Sequence, residues 1–442
     1  MSKSIVTRAR VRLAIACLVL AGALFTLAAC GGGSSDESSK ASGGGSSGSV
    51  DDGSKITMWT RAATSAYSQL LVDAYNKTHK NQVKLTVIPT DSYQPKIAAA
   101  AGGRSLPDVL SADVVFAPNY ASKGLLADLT SRVNALKFKD ALAPGHIKAS
   151  TYQGKIYAVP HDIDLSAMFY NKVLFKKAGL DPEKPPTTVK EMVEAARKIN
   201  ALGGGVHGFY FGGNCGGCLL FTTWPMIWAS GGTVLNDDGT QSTVNNAQAA
   251  EIYGLYKQMS ADGIVDAQSK NEPGATWTAP FSSGKVGIQP EGATILGTIK
   301  ENKNLQVGVA PIPGLDGGES SFVGGDVLGV AATSKNTSAA WNFIAWTLSD
   351  EAQVNVAAKA GYIPSRSDLA DNQYAQKDPR LVTFNKLVGK GQTPATVNFG
   401  PTYNDPNGPW LESVRAAIYG GDPKSELDKH NGAINTTLQG GG

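Results

Sequence analysis

Two rhythms of apolar positions alternate along most of the chain. Residues 55–60 (KITMWT) read as a first strand and residues 83–89 as a second. Between them, residues 65–79 read as a helix, with Leu70, Leu71, Ala74 and Tyr75 on one stripe. A helix over 92–101, a strand at 109–112 and a turn followed by a helix over 119–129 continue the series. Further on, Thr188 with Glu191 three residues later marks a capping box, opening a helix that carries Met192, Val193, Ala196, Ile199 and Leu202 inward. Residues 207–211 read as a strand, and helices are expected at 221–230, 247–261, 338–348, 349–360, 410–419 and 423–438. Strands and helices in alternation predict α/β lobes, and no repeat of solenoid period is present.

Composition changes this picture mainly at the N-terminus. Lys3, Arg8, Arg10 and Arg12 precede an apolar run over 13–29 that ends in Leu27-Ala28-Ala29-Cys30. This is the pattern of an export signal closed by a bacterial lipobox, in which cleavage before Cys30 leaves its thiol to carry a diacylglycerol. The competing reading is a transmembrane helix, but the run is short for a span of about 20 residues and small residues crowd its end. Residues 1–29 are therefore expected as a signal peptide and 30–54 as a lipidated Cys with a Gly/Ser/Asp tether, too poor in apolar groups to fold alone. Loss of the signal takes the formal charge from +3 to about −1, which argues against nucleic acid as a partner. With 42% hydrophobic residues the remainder can bury a core in each of two or three lobes. Cys17 and Cys30 belong to the signal region, so Cys215 and Cys218 are the pair left to an oxidising, extracytoplasmic setting.

One stretch carries more information than the rest. It runs Gly154-Lys155-Ile156-Tyr157-Ala158-Val159-Pro160-His161-Asp162-Ile163-Asp164, continues through Tyr170-Asn171-Lys172, and ends in a short helix stopped by Gly179. With Leu106-Pro107-Asp108-Val109-Leu110, Ser122-Lys123-Gly124-Leu125-Leu126, Trp228-Ala229-Ser230-Gly231-Gly232, residues 281–288 (FSSGKVGI) and residues 324–330 (GGDVLGV), it resembles, in order along one chain, the family 1 extracellular solute-binding proteins. These are sugar receptors of ABC importers. The resemblance implies a periplasmic-binding-protein-like type II fold, two α/β lobes joined by hinge strands with the ligand cleft between them. It puts lobe one at 55–161 plus 292–345 and lobe two at 162–291 plus 346–442. It also implies capture of a carbohydrate, an oligosaccharide in the first instance, by cleft closure. The closed form would be delivered by a monomer to the transmembrane subunits of a permease that a separate ATPase drives, with no cofactor.

Sugars are held by carboxylate, amide and guanidinium groups on their hydroxyls and by aromatic faces on their C–H side. By position relative to the family motifs, lobe one would offer Arg61, Tyr93, Asp113 and Asp162 or Asp164, with Asp164 the better match. Glu291, Gly325 and Asp326 fall near the return hinge, and lobe two would offer Asn214, Phe221, Trp228, Tyr403, Asn404 and Trp410. Trp59 and Trp341 sit inside strong element patterns and read as core, whereas Trp228 divides evenly between core and ligand. Trp410 follows the Gly/Pro/Asn-rich stretch 400–409, which favours a place on the ligand. His161 departs from the small or aliphatic residue usual before the acids.

The Cys215-Gly216-Gly217-Cys218 spacing permits a small disulfide ring that would stiffen the cleft edge before Phe221. A thiol-redox role lacks its usual βαβ context, and zinc would need two further ligands where only His207 is near. Enzyme motifs are poor: a G-x-S-x-G at 44–48 lies in the tether, and a G-x-G-x-x-G at 203–208 follows a helix and precedes a strand, the wrong order for a dinucleotide loop. The chain is expected not to be an enzyme, although Asp164 and Glu291 could form the acid pair of a glycosidase.

Overall fold

The computed structural model describes residues 51–297 and 299–440. The signal, Cys30 and the tether as far as residue 50 lie outside the described residues. Residues 51–54, expected as the end of the tether, are pinned to the fold. Asn81 Oδ1 accepts the backbone N–H groups of Asp52, Gly53 and Ser54 at 3.0–3.1 Å, and the Asp51 carboxylate accepts those of Lys80 and Asn81 at 3.1 and 2.7 Å. No described helix is long and apolar enough to cross a membrane.

Eight strands form one long sheet: β1 Lys55–Arg61, β2 Gln82–Ile88, β3 Val109–Asp113, β4 Val159–Asn171, β5 His207–Phe209, β6 Val286–Gly292, β7 Val307–Ala310 and β8 Val323–Val330. Their order is β2-β1-β3-β8-β4-β6-β5, with β7 also on β4. β1 pairs in parallel with β2 and β3, and β8 closes this half antiparallel to β3. Alternation of Ile56, Met58 and Thr60 into the interior fixes the register of β1, because a slip by one residue would turn all three to solvent.

The 13-residue β4 is buried along nearly its whole length and changes partners midway. Val159–Leu165 lies against β8, whereas Ser166–Tyr170 lies against β6 and Met168–Asn171 against β7. One continuous strand therefore belongs to both α/β lobes. A second connection leaves β6 at Gly292 and passes through the turn Ala293–Gly297. Where β4 meets β8, Gly325 has φ +99°, and a Cβ there would stand 2.1 Å from the Asp162 carbonyl oxygen. Only glycine allows these two strands to touch at that bulge.

The apolar interior divides into unequal clusters. Met58, Val83, Val109, Val330, Phe343 and Leu348 share a core. Met192, Ile199, Phe209, Trp224, Tyr256 and Trp410 belong to a larger aromatic cluster that also takes in Leu110 of β3 together with Tyr93 and Tyr120. Thr188 Oγ1 accepts the Glu191 N–H at 3.0 Å, as a cap should, and Glu191 reaches back to Thr187 N rather than to the cap itself. Three elements differ from expectation, the first being the helix expected within 119–129, which is the short Ala117–Ser122. The helix expected from 221 begins at Gly216, because the Cys215 sulfur accepts the Cys218 N–H and serves as its cap. The helix expected over 349–360 is a wide π turn, Glu351–Ala357, followed by a 3-10 turn, and it packs on the Ser65–Thr78 helix through Tyr67, Leu71, Ala352 and Ala357.

Candidate functional site

The carboxyl ends of parallel strands are where open α/β sheets bind ligands. Here the ends of β1 and β3 place Arg61 and Asp113 on one wall of a cavity of about 340 Å³. Asp164 from β4, Glu291 and Gly292 from β6, Thr294, and Gly324 and Gly325 from β8 form its floor and hinge side. Phe221, Trp277, Thr278, Phe322, Phe399 and Asn404 form the opposite wall with Gly217, Cys218 and Leu220.

The charged groups fall into two sets. Arg61 contacts Asp113 Oδ2 through Nη1 at 3.0 Å, and contacts Asp326 Oδ1 through Nη2 at 2.5 Å and Nε at 2.7 Å. Asp326 Oδ2 accepts the hydroxyls of Thr64 and Ser111, each at 2.7 Å. Burial pushes the Asp326 carboxyl up, but Arg61 and the hydroxyl donors outweigh it and hold the group below the usual carboxylate range. Burial likewise works against the Arg61 charge, and Asp113 with Asp326 overrides it. Asp113 is raised, by burial first and by the charge of Asp326, against the pull of Arg61.

The second set has no cation of its own. Glu291 is fully buried; its Oε1 accepts from Gln289 Nε2, while Oε2 has no hydrogen-bond partner. Burial holds Glu291 well above the usual range. Asp164 Oδ1 receives a long 3.3 Å bond from Thr294 N–H, and burial raises this carboxyl to about 6. Asp162 points the other way. It lines a separate cavity of about 530 Å³ with Tyr67 and Tyr362, where burial and then the charges of Asp326 and Asp164 push it to about 8. Thr294 and Ile295 border both cavities.

The structure thus gathers Arg61, Asp113, Asp164, Phe221, Glu291, Gly325 and Asn404 on one cavity, with Asp326 directly behind Arg61. It leaves the other expected residues elsewhere. Tyr93 is buried, its hydroxyl bonded to the Ser111 carbonyl beneath the wall. Asn214 is exposed, and its N–H is given to the Glu272 carbonyl. Trp228 packs behind Phe322, with ring centroids 6.0 Å apart. Tyr403 and Trp410 are 0% exposed and meet Trp224 edge to face. The reason for Trp410 is local: the helix Pro409–Tyr419 starts one residue before it, so the indole joins the apolar stripe of Leu411, Val414 and Ile418 and gives its N–H to the Gly216 carbonyl at 3.1 Å. His161 is buried too, bonded to Ser68 and edge-on to Tyr67, and burial lowers it to about 4.

Sequence reasoning missed Trp277, Thr278, Thr294 and Phe322. Trp277 is half-buried within Pro273–Pro280, a stretch with no helical or strand period. An aromatic stranded among Thr, Gly and Pro just before the 281–288 motif was the available signal. The Cys215 and Cys218 sulfurs lie at bonding distance, 2.02 Å. No group of three or more His, Cys, Asp or Glu among the described residues could hold a metal ion. The cavity is rich in acceptors and carries an exposed aromatic edge, an arrangement suited to hold a neutral ligand with many hydroxyl donors.

The profile of the bacterial extracellular solute-binding proteins matches residues 71–383. The diacetylchitobiose-binding protein of Streptomyces coelicolor is 26% identical, covering 96% of this chain and 98% of its own length. An ABC transporter-binding protein of Deinococcus radiodurans is 30% identical over 78% of this chain and 84% of its own. Among solved structures, the cyclic alpha-maltosyl-1,6-maltose-binding protein of Arthrobacter globiformis superposes with a TM-score of 0.76 at 24% identity, covering 88% of this chain and 99% of that one.

Proposed function

We propose that this chain, which belongs to the bacterial extracellular solute-binding protein family, is the substrate-binding component of an ABC importer and captures a carbohydrate in the cavity between its lobes. The observation that carries the reading is Glu291. A fully buried carboxylate oxygen without a partner is costly, and a hydroxyl from a ligand in the adjoining cavity would satisfy it. Asp164 and Asp113 would take further hydroxyls, and Trp277 with Phe221 would cover a ring face. An oligosaccharide fits the relatives that bind diacetylchitobiose and cyclic alpha-maltosyl-1,6-maltose.

Capture proceeds by closure. The ligand settles on one lobe, the β4 and Gly292–Gly297 crossings bend, and the sealed form docks on the permease. We place the lobe limits near 161 and 291, and the change of β4 partners at Leu165 supports the first of these. The protein acts as a monomer without catalysis, held to the membrane through Cys30. Cys30→Ala is expected to leave an uncleaved, unlipidated precursor, and a mutant that still partitions as a mature lipoprotein rejects the anchor.

The test is a panel of mono- and oligosaccharides read by thermal shift and calorimetry. A true ligand at 100-fold its Kd adds about 2.7 kcal/mol of stability. A receptor returns that sugar intact on denaturation, and recovery of cleaved sugar would establish a glycosidase instead. A panel with no binder among saccharides rejects the carbohydrate reading.

A further inference from the structure

We infer that the Cys215–Cys218 pair positions the Trp277–Thr278 wall of the cavity, so that joining or parting its sulfurs alters ligand affinity through that wall. This rests on the cavity being the ligand site and adds residues that contact no ligand but set the geometry of those that do.

The sulfurs are clasped by two backbones that could not approach if they bore side chains. At Gly274, which has φ +101°, a Cβ would stand 2.8 Å from Cys215 Sγ and 2.9 Å from Cys218 Sγ. At Gly212 it would stand 2.9 Å from Cys218 Cβ. Real Cβ atoms do not come this close, so the pair is seated in a slot made by these glycines.

Gly274 is also the start of the wall. Glu272 gathers the loop that follows it: Oε1 accepts the N–H groups of Gly274 and Thr276 at 2.8 and 3.2 Å, and Oε2 accepts the Thr276 hydroxyl at 2.7 Å and the Tyr210 hydroxyl at 3.2 Å. The Glu272 carbonyl accepts Asn214 N–H at 3.0 Å, which closes the loop onto the segment before Cys215. Beyond Thr276, the Trp277 carbonyl accepts Gln289 Nε2 at 2.5 Å, and the same nitrogen reaches Glu291 Oε1. A contiguous set of contacts therefore leads from the sulfurs to the carboxylate that awaits a ligand.

The two sides of the clasp are unequal. The helix side is anchored in the core, since the Gly216 carbonyl holds the buried Trp410 indole. The loop side is thin, with Pro273, Ala275 and Thr276 all exposed. Parting the sulfurs should free the loop and leave the helix in place.

Hydrogen exchange on the full chain tests this without a ligand. Exchange in peptides covering 272–280 should accelerate about tenfold or more when the bridge is reduced by a phosphine or removed in Cys215→Ala/Cys218→Ala, while the Pro409–Tyr419 helix keeps its rates. Unchanged rates on parting the sulfurs would overturn the inference. So would acceleration spread equally into the Pro409–Tyr419 helix, or free thiols in protein exported and purified without reductant. For any saccharide that binds, Kd should rise about tenfold on reduction and recover on reoxidation, as misplacement of an ordered wall predicts. An unchanged Kd counts against the inference. If no saccharide binds, the carbohydrate reading falls while the exchange arms still decide the positioning role.

Discussion

The Arg61 wall and the Glu291 floor of one cavity are built on opposite terms. At the first, Arg61, Asp113, Asp326, Thr64 and Ser111 satisfy one another, and the charges are fixed before any ligand arrives. At the second, Glu291 is buried and Asp164 half-buried, neither is ion-paired, and an oxygen of Glu291 has no partner. Burial by itself therefore does not say whether an acid holds the fold or serves the ligand. The inventory of partners does, since a satisfied group stabilises and an unsatisfied one waits.

The largest effect should come from breaking the satisfied set. Asp326→Ala leaves Arg61 short of its main partner inside the protein and is expected to cost about 3 to 5 kcal/mol of stability, seen as a lower urea midpoint. A loss below about 1 kcal/mol would mean that water already shares this pair, and the contrast between the two regions would collapse.

Tryptophan offers the same division at similar size. Trp410→Ala should cost about 3 to 5 kcal/mol of folding stability with affinity per folded molecule kept, because its ring lies wholly in the core. Trp277→Ala should do the reverse, weakening sugar binding by about 1 kcal/mol or more with little change in the ligand-free melting temperature. An exchange of these two outcomes would put Trp410 on the ligand after all.

Glu291→Gln sharpens the comparison from the unsatisfied side. Affinity should fall by about 0.5 to 1.5 kcal/mol in calorimetry, the scale of a hydrogen bond between neutral groups, because burial favours the uncharged acid. Ligand-free stability at neutral pH should rise or hold, since a buried acid without a cation is removed. A destabilised variant with normal affinity would make Glu291 a structural group.

The gentlest probe is pH. Asp164 and Asp162 are raised to about 6 and about 8, so the folded protein keeps protons that the unfolded chain has released. Their stabilising contribution is present in full below the ordinary carboxylate pKa and is lost as pH climbs through about 6 and then about 8. Asp326, lowered, contributes with the opposite sign, and its part is lost as pH falls through its folded value. Buried His161 and His146, lowered to about 4, oppose this below the ordinary histidine range, so ligand-free stability should decline most clearly from about pH 7 to 8, with a slope of at most about 1.4 kcal/mol per pH unit for one group. Asp162→Asn should flatten the upper part of that decline, and an unaltered slope would mean that Asp162 is ionised throughout.

Local chemistry was the part most readily visible in the sequence. The Thr188 cap and the alternation of Ile56 and Met58 concern neighbours along the chain, and both appear where expected. The crossing at β4 was visible because Pro160, two acids and Tyr170-Asn171 form a dense motif. Alternation set both acids apart from Ile163, so that at most one face of the strand meets the cleft, but their parting into two cavities accompanies a register shift against β8, from a distant part of the chain. Trp410 misled because the Gly/Pro-rich stretch before it looked irregular, yet Gly400–Asn404 winds into a π turn and the helix begins at Pro409. Trp277 was hidden for the converse reason, as its role comes from Gln289 and Glu272 holding an aperiodic loop in place.

Thr294 and Ile295 stand between two compartments, the front cavity with Asp164 and the rear one with Asp162. A partition works as a piston: any displacement that narrows the front chamber enlarges the rear one by a comparable amount unless the rest of the wall follows. Filling the rear chamber with larger side chains would then prop the partition forward and bias the lobes before a ligand enters. The receptor's sensitivity would in that way be set from a chamber other than the one that holds Asp164 and Glu291.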